Sequence, residues 1–482
     1  MRKAIICMMV FLLAGCSVGP DYVKPTIVSP PSWRIDYESA ANLADTAWWE
    51  QFGDPALNTL IETALRENRD LKAAAARVDQ FLGVLDTTRS QFFPQFGASA
   101  SASRQRDTET GPVPRHGTTY DYYQGALNVY WEIDIWGRIR RASESAQAQV
   151  LASEEGRRAV VLTLVTSVAN SYITLRGLDR QLEIARETEQ SYGQSLKLFQ
   201  LRYKYGTISR VQLSQVESQY EIARQAIPQL ESQVRQQENL ISVLLGSNPG
   251  PIPRGKTIDQ LTPPGIPASL PSTLLERRPD IVQAEQNLVS ANAEIGVAKA
   301  LYFPVISLTG LLGTASANFS DLFEGPSKIW SLGGSALMPI YTFGAISGQV
   351  KQAEAFQHQS LYQYEQTILN AFREVEDALV ATTKGREQQE SQGRQVKALS
   401  DYARLSRLQY EGGTVSYLQV LDADRSLFSG QLSYVQTQTG VLTSLVNVYK
   451  SMGGGWVNEA DRLTGMGPQV QAMGPRVETA AK

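Results

Sequence analysis

Hydrophobic positions change their period several times along this chain, and each change marks an element. From Pro55 to about Gln91, Leu57, Leu60, Ile61, Ala64, Leu65, Leu71, Val78, Leu82 and Leu85 recur three and four residues apart, which predicts a helix over 55–91. Phe93-Pro94 ends it, because the residue before a proline is pushed out of helical backbone. The period then falls to two. Phe96, Ala98, Ala100 and Ala102 alternate with Gly97, Ser99, Ser101 and Ser103; after a polar loop, Leu127, Val129, Trp131, Ile133 and Ile135 alternate with Asn128, Glu132 and Asp134. Strands are expected over 92–105 and 122–136. About ten residues of apolar-out, polar-in alternation suit a transmembrane β-strand, with Tyr122, Tyr123, Trp131 and Trp136 fitted to the interfaces. A soluble, half-buried hairpin carries the same pattern.

Helical periodicity returns over 139–205, roughly 100 Å at 1.5 Å per residue, and again over 208–246. Leu182, Ala185, Glu189, Tyr192, Leu196, Phe199 and Tyr203 alternate in threes and fours. Leu213, Val216, Tyr220, Ala223, Ile227, Leu230, Val234, Gln237, Ile241 and Leu244 continue the alternation. Sustained heptads imply coiled-coil packing, with Pro228 expected to kink the second helix.

The plan then repeats. Leu201–Glu217 (LRYKYGTISRVQLSQVE) and Leu408–Arg425 (LQYEGGTVSYLQVLDADR) align at an offset of 207, which places Gly206-Thr207 on Gly413-Thr414. Phe93-Pro94 falls on Phe303-Pro304 at an offset of 210, and Trp136-Gly137 on Phe343-Gly344 at 207. Each Gly-Thr is expected at a helical tip, with the glycine left-handed and the following Thr or Ser capping the next helix. The expected organisation has an extended, Pro- and Trp-rich arm over 16–54, a first repeat over 55–246 and a Pro/Gly linker over 247–271. A second repeat over 272–456 follows, with helices at 272–301, 345–410 and 416–452 and strands at 303–314 and 330–343. A loose tail at 457–482 ends the chain. Four strands per chain cannot close a membrane barrel, and an open edge in lipid is not viable, so several copies must share one pore; three would give twelve strands.

Composition removes other classes. The net charge of −3 over 482 residues offers no basic surface for nucleic acid. No run of about 20 apolar residues follows the first fifteen, so a membrane-spanning helix is not expected in the mature chain. The first fifteen residues read as a signal peptide, with Arg2-Lys3, an apolar run and Leu13-Ala14-Gly15 before Cys16. That tetrad resembles a lipobox, which makes Cys16 the candidate lipidation site; an ordinary secretory signal with an incidental Cys is the alternative. Cys7 leaves with the signal, so no disulfide is expected. His116 and His358 read as surface residues. No nucleophile–base set, phosphate loop or cofactor motif is found, and no enzyme activity, metal site or cofactor is expected.

The order and spacing of several motifs resemble the TolC-like outer-membrane channels of tripartite efflux pumps, in the lipid-anchored OprM/NodT branch. They are Cys16–Tyr22, Trp48-Trp49 with Phe52–Leu57, Glu276–Ile281, Ala300–Pro304 and Gly413–Phe428. The resemblance implies a homotrimer with a twelve-stranded β-barrel in the outer membrane, continued by an α-helical barrel through the periplasm. It implies a periplasmic adaptor and a proton-driven inner-membrane transporter of the RND type as partners. Drugs, dyes and solvents are the implied cargo, or metal ions in some members. It also places a periplasmic gate on Leu418, Asp422 and Arg425, with Tyr410 holding the closed state through a hydrogen bond. Leu418 would constrict the path and three Asp422 carboxylates would favour cations. Gln419 and Gln212 stand where some relatives carry acidic residues, and Arg210 has no partner assignable from sequence. A solvated Asp422–Arg425 pair with no gating role is the plain alternative, and an adhesive protein with a coiled-coil stalk is the rival function.

Overall fold

The computed structural model describes residues 17–27, 29–34, 39–40, 47–110, 117–267, 271–453 and 456–465. Cys16, the signal peptide, His116 and the tail beyond 465 lie outside the described residues. In chain order the elements are β1 (Ser39–Ala40), α1 (Pro55–Glu67), α2 (Arg69–Ser90), β2 (Gln95–Arg106), β3 (Thr119–Ile133), α3 (Arg138–Lys204) and α4 (Arg210–Leu244). There follow β4 (Ile266–Pro267), α5 (Leu274–Arg277), α6 (Pro279–Ala300), β5 (Val305–Ser316), β6 (Lys328–Leu337), α7 (Ala345–Glu411), α8 (Tyr417–Ser451) and α9 (Trp456–Leu463). The chain forms two units. The first comprises Met1–Thr26, Arg77–Ser153 and Gln283–Glu365; the second comprises Ile27–Ala76, Glu154–Val282 and Gln366–Lys482.

The first unit holds an antiparallel sheet in the order β2-β3-β5-β6. Its register puts Phe96 against Val129, Leu127 against Leu312, and Leu312 against Trp330. One face therefore collects Phe96, Leu127, Leu308, Leu312, Trp330 and Leu332, all exposed, Phe96 by 83% and Leu332 by 81%. The other face carries Ser99, Asn128, Ser307 and Ser335, joined by hydrogen bonds from Asn128 Nδ2 to Ser99 Oγ and between Ser307 and Ser335, both 2.8 Å. A continuous apolar face of this kind needs a non-aqueous neighbour.

The residues after Cys16 lie against this unit. Val18 N–H donates to Trp136 O (3.0 Å), Asn292 Nδ2 to Pro20 O (3.0 Å) and Arg141 Nη2 to Asp21 Oδ1 (2.6 Å). Gly19 and Gly296 must both be glycine here: a Cβ on Gly19 would stand 2.5 Å from the Gly296 Cα.

The core of the second unit is aromatic. Trp48 stacks on Tyr449 with centroids 5.2 Å apart and meets Trp49, Phe52 and Trp456 edge-on. Buried Asp54 caps α1 by accepting from Ala56 N–H (2.9 Å), and it also accepts from the Tyr172 hydroxyl (2.7 Å) and Lys256 N–H (3.0 Å). Burial and that carboxylate push the Tyr172 hydroxyl well above its ordinary range. An 18-residue window of α3 has a mean hydropathy of 1.3, and 61% of it is buried within the chain. Its apolar run, including Val161, Val165, Val168 and Tyr172, is core-packed.

Several expectations need correction. The helix expected over 55–91 is two helices, broken at Asn68, whose backbone is extended (φ −58°, ψ 134°). There Asn68 Oδ1 accepts from Leu71 N–H and Nδ2 donates to Leu244 O, so the side chain caps α2 and ties it to α4. The helix expected over 272–301 breaks likewise at Arg278, which donates to Ser451 O (2.9 Å), Asp280 and Glu374. The fourth strand stops at Leu337 rather than 343, since Pro339 has no N–H to give a ladder. The second strand stops at Ile133 because Asp134 turns to accept from Ile139 and Arg140 N–H at the start of α3.

The arm is not wholly extended: Trp48–Phe52 is a buried 3-10 turn, and Ser39–Ala40 pairs in parallel with Ile266–Pro267 of the linker. Nor is the chain loose from 457. Helix α9 buries Trp456, Val457 and Ala460, and its Asp461 forms a buried fork with Arg157 (Nη2–Oδ2 2.8 Å). Pro228 sits inside α4 without interrupting the helix.

Candidate functional site: two helical tips

The tips joining α3 to α4 and α7 to α8 both lie in the second unit. In each, a helix ends on a left-handed glycine, Gly206 at φ 70° and Gly413 at φ 76°. The closing bonds are the same: Gly206 N–H donates to Tyr203 O and Thr207 N–H to Arg202 O, while Gly413 N–H donates to Tyr410 O and Thr414 N–H to Gln409 O, all between 2.9 and 3.0 Å. Two such bonds satisfy carbonyls that a helix end leaves open.

The threonines work on the preceding helix, so of the Thr or Ser expected to cap the next helix it is the serine, Ser209, that does so at the first tip. Thr207 Oγ1 donates to Arg202 O (2.8 Å) and Thr414 Oγ1 to Gln409 O (2.9 Å). The N-cap of α4 is Ser209, in a reciprocal box with Gln212. Ser416, its counterpart at α8, makes no side-chain cap bond.

Phe199, Leu213, Val216 and Leu421 form a small core that fixes the tips side by side, with Tyr410 and Tyr417 packed on it. Phe199 and Tyr417 ring centroids are 4.2 Å apart, and those of Tyr410 and Tyr417 are 5.0 Å apart. Arg202 crosses from the first tip to the second: its Nη1 donates to the Tyr410 hydroxyl at 2.6 Å, and its guanidinium lies over the Phe199 and Tyr410 rings at 5.6 and 5.9 Å. Arg210 has found its partners locally, Glu217 at 3.2 Å and the Tyr203 ring.

Leu418, Asp422 and Arg425 share one stripe of α8. Leu418 is 58% exposed, and Arg425 Nη2 pairs with Asp422 Oδ1 at 2.8 Å, both side chains largely in solvent. An exposed pair of this kind stabilises a helix by only about 0.2–0.5 kcal/mol. The stripe lines a groove whose opposite wall is Arg210, Val211, Gln215 and Ser218 of α4. At the offset of 207, Val211, Gln215 and Ser218 are the counterparts of Leu418, Asp422 and Arg425. The three counterparts are uncharged, and the charge on their wall comes from Arg210 instead.

A second cavity, of about 430 Å³, is lined by Tyr192, Arg404, Arg407, Glu411 and Asp424. Burial raises the Asp424 carboxyl against the opposing pull of Arg407, its partner at 3.0 Å, and burial pushes the Tyr192 hydroxyl up to about 12. Arg202, Tyr417 and the α4 stripe escaped the sequence reading, which has Phe199 only as a position on the helical seam. Carrying the offset of 207 through the whole α8 stripe identifies Val211, Gln215 and Ser218; nothing local marks Arg202 as the ligand of Tyr410. Among the described residues no group of three or more His, Cys, Asp or Glu could hold a metal ion.

The family model described as outer membrane efflux protein matches residues 60–247 and 270–454. The chain is 36% identical to the probable efflux pump outer membrane protein TtgC of Pseudomonas putida, over 95% of this chain and 97% of that one. It is 35% identical to the cation efflux system protein CusC of Escherichia coli K12, over 92% and 97%. A crystal structure of a membrane protein from Pseudomonas aeruginosa superposes with a TM-score of 0.84 at 32% identity, over 91% of this chain and all of that one. These matches span both repeats and displace the adhesive-stalk alternative. The chain belongs to the outer membrane efflux protein family, and it serves in the outer membrane as the channel of an efflux system.

Proposed function

We propose that three copies of this chain form the exit duct of a tripartite pump. The duct meets a periplasmic adaptor and a proton-driven RND transporter, and it passes small toxic compounds such as drugs, dyes and solvents. The observation that carries this reading is the four-stranded sheet, with an exposed apolar face and two outer edges that have no partner strand among the described residues. Such edges in hydrocarbon cost several kcal/mol per open backbone group, so the sheet requires further copies to close.

The tips form the gate: Leu418 narrows the path, Asp422 and Arg425 set its charge, and the Arg202–Tyr410 bond holds the second tip against the first. The acidic Asp422 supports a second reading, export of metal cations, which a relative named for cation efflux also favours. Cys16 carries the lipid anchor; the docking of residues 18–21 beside Trp136 supports a fixed position for it.

One preparation tests the whole reading. Material purified from outer membranes should have the mass of a chain beginning at a triacylated Cys16, sediment as a trimer and give discrete current steps in planar bilayers. A non-conducting monomer would sink it. Restored resistance of a channel-deficient host to organic toxicants, against copper or silver salts, decides between the two cargoes.

A further inference from the structure

Charge is rare in the four-stranded sheet and unevenly placed. Its strands hold five charged residues: Arg104 and Arg106 in β2, Asp121 and Glu132 in β3, and Lys328 in β6. Glu132 lies on the polar face, at the end of β3 that leads into α3, and Arg138 holds it through two bonds of 2.9 Å. The other four share the apolar face, because strand residues alternate sides and these fall in step with Phe96, Leu127 and Trp330. They also share one end, among the strand residues next to the β2–β3 and β5–β6 turns. A cation at the rim of an apolar band needs only to reach water, which it can do at either end and from either face. Here the apolar face carries no charge at its other end, where Phe96, Trp131 and Ile306 stand. The polar face carries none at the turn end, where Gln105, Tyr120 and Tyr122 stand. Reaching water therefore does not account for the placement, whereas an anionic neighbour on one side of the membrane does.

We propose that this basic rim binds the phosphates of a glycolipid in the outer leaflet of the outer membrane. This rests on the duct reading above, which puts the helices on the periplasmic side and the β2–β3 and β5–β6 turns outside. Arg104 and Arg106 lie about 7 Å apart along one side of β2. Their side chains are 76% and 67% exposed, and their partners within the chain are loose: Asp121 at 3.6 Å and Glu109 at 3.3 Å. Exposed pairs of this kind contribute little in water. Lys328 is exposed and has no acidic partner among the described residues. Because β2 and β6 are the outer strands, a ring of copies brings Lys328 to one seam with the partner subunit's Arg104 and Arg106. Two guanidinium forks and an ammonium group then meet the lipid together, the forks taking phosphate oxygens through paired hydrogen bonds.

The rest of the rim favours a sugar-bearing lipid over a phosphoglyceride. Thr119, Thr314 and Ser316 put hydroxyls on the same face and the same end. Trp330 stands two residues from Lys328 with its ring exposed, a flat surface for a sugar. Leu312 and Leu332, beside it on the apolar face, take the acyl chains. Asp121 is the one acid on this face, and it opposes the phosphate.

The test uses the full chain, purified from outer membranes and reconstituted in phosphatidylethanolamine vesicles containing a trace of diphosphorylated lipid A. Glycolipid retained per chain after detergent extraction and affinity capture is measured by mass spectrometry. Arg104→Gln, Arg106→Gln and Lys328→Gln together should lower retention by about tenfold. Asp121→Asn should raise it by about twofold. Lipid A stripped of its phosphates should be held by the unaltered chain no better than the triple variant holds the phosphorylated form. Unchanged retention by the triple variant, equal retention of the stripped lipid, or full displacement by phosphatidylglycerol overturns the proposal. If the triple variant does not assemble, Asp121→Asn and the stripped lipid decide alone. Glu324→Cys, in the β5–β6 turn, should react with a membrane-impermeant maleimide on intact cells. Labelled cells with lipid retention that ignores phosphate overturn the lipid site alone; unlabelled cells overturn the orientation, and the duct reading with it.

Discussion

The two helical tips share a backbone and differ in chemistry. Both end a helix on a left-handed glycine with the same two backbone bonds and the same threonine hydroxyl turned back onto the helix. From there they diverge. The first tip is held by the Ser209–Gln212 box and by Arg210 on Glu217 and Tyr203. The second has an uncapped Ser416, Gly412 where the first has Tyr205, and the charged stripe of Leu418, Asp422 and Arg425 where the first has Val211, Gln215 and Ser218. The turn is the same twice over, and the stripe with an acid–base pair, to which the proposed gate assigns blocking and selection, stands on the second copy. The second tip also lacks the side-chain cap of the first, so in the proposed gate it is the copy expected to move.

The strongest challenge to this asymmetry removes the stripe. Leu418→Ala with Asp422→Ala should raise single-channel conductance by on the order of twofold or more and weaken cation preference, since it takes away both the apolar constriction and the carboxylate. The matched pair at the first tip, Val211→Ala with Gln215→Ala, should leave conductance near wild type. Equal effects would mean that the tips share the gate evenly.

A smaller effect is expected from Tyr410→Phe. The ring stays under the Arg202 guanidinium, while the 2.6 Å hydrogen bond is lost. A bond to a charged donor at a half-exposed site contributes about 1–2 kcal/mol, so the open fraction should rise by about tenfold. The frequency of open events in bilayer records measures this, and an unchanged frequency would show that the aromatic contacts alone hold the tips together.

Sequence periodicity revealed these tips because a long heptad pattern interrupted by Gly-Thr has few other readings. It also revealed the sheet, whose alternation survives in the register. It missed features that depend on distant partners. Asn68 looks helical in the run LRENRD and breaks the helix by reaching Leu244, 176 residues away. The clue lay in the second copy, where Pro279 occupies the place of Arg69. Helix α9 follows three glycines and resembles a tail until Asp461 meets Arg157, 304 residues distant. The partner of Tyr410 was invisible for the same reason: Arg202 has no counterpart in the repeat, since Gln409 stands at its equivalent position.

The finest test of the asymmetry compares two serines. Ser209 Oγ accepts from Gln212 N–H at 3.3 Å, and the Gln212 side chain accepts from Ser209 N–H at 3.0 Å, so two open donors at the start of α4 are satisfied together. Ser209→Ala removes one of them and should cost the first tip about 1 kcal/mol, seen as about fivefold faster amide exchange over the first turn of α4. Ser416 makes no such bond, and α8 begins with the backbone bond from Gln419 N–H to Ser416 O alone. Ser416→Ala should therefore change exchange at the start of α8 by less than about twofold. If Ser416→Ala loosened its helix as much as Ser209→Ala does, Ser416 would cap α8 in the closed assembly. The second tip would then be capped as firmly as the first, leaving the charged stripe, Gly412 and the Arg210 contacts as the differences between them.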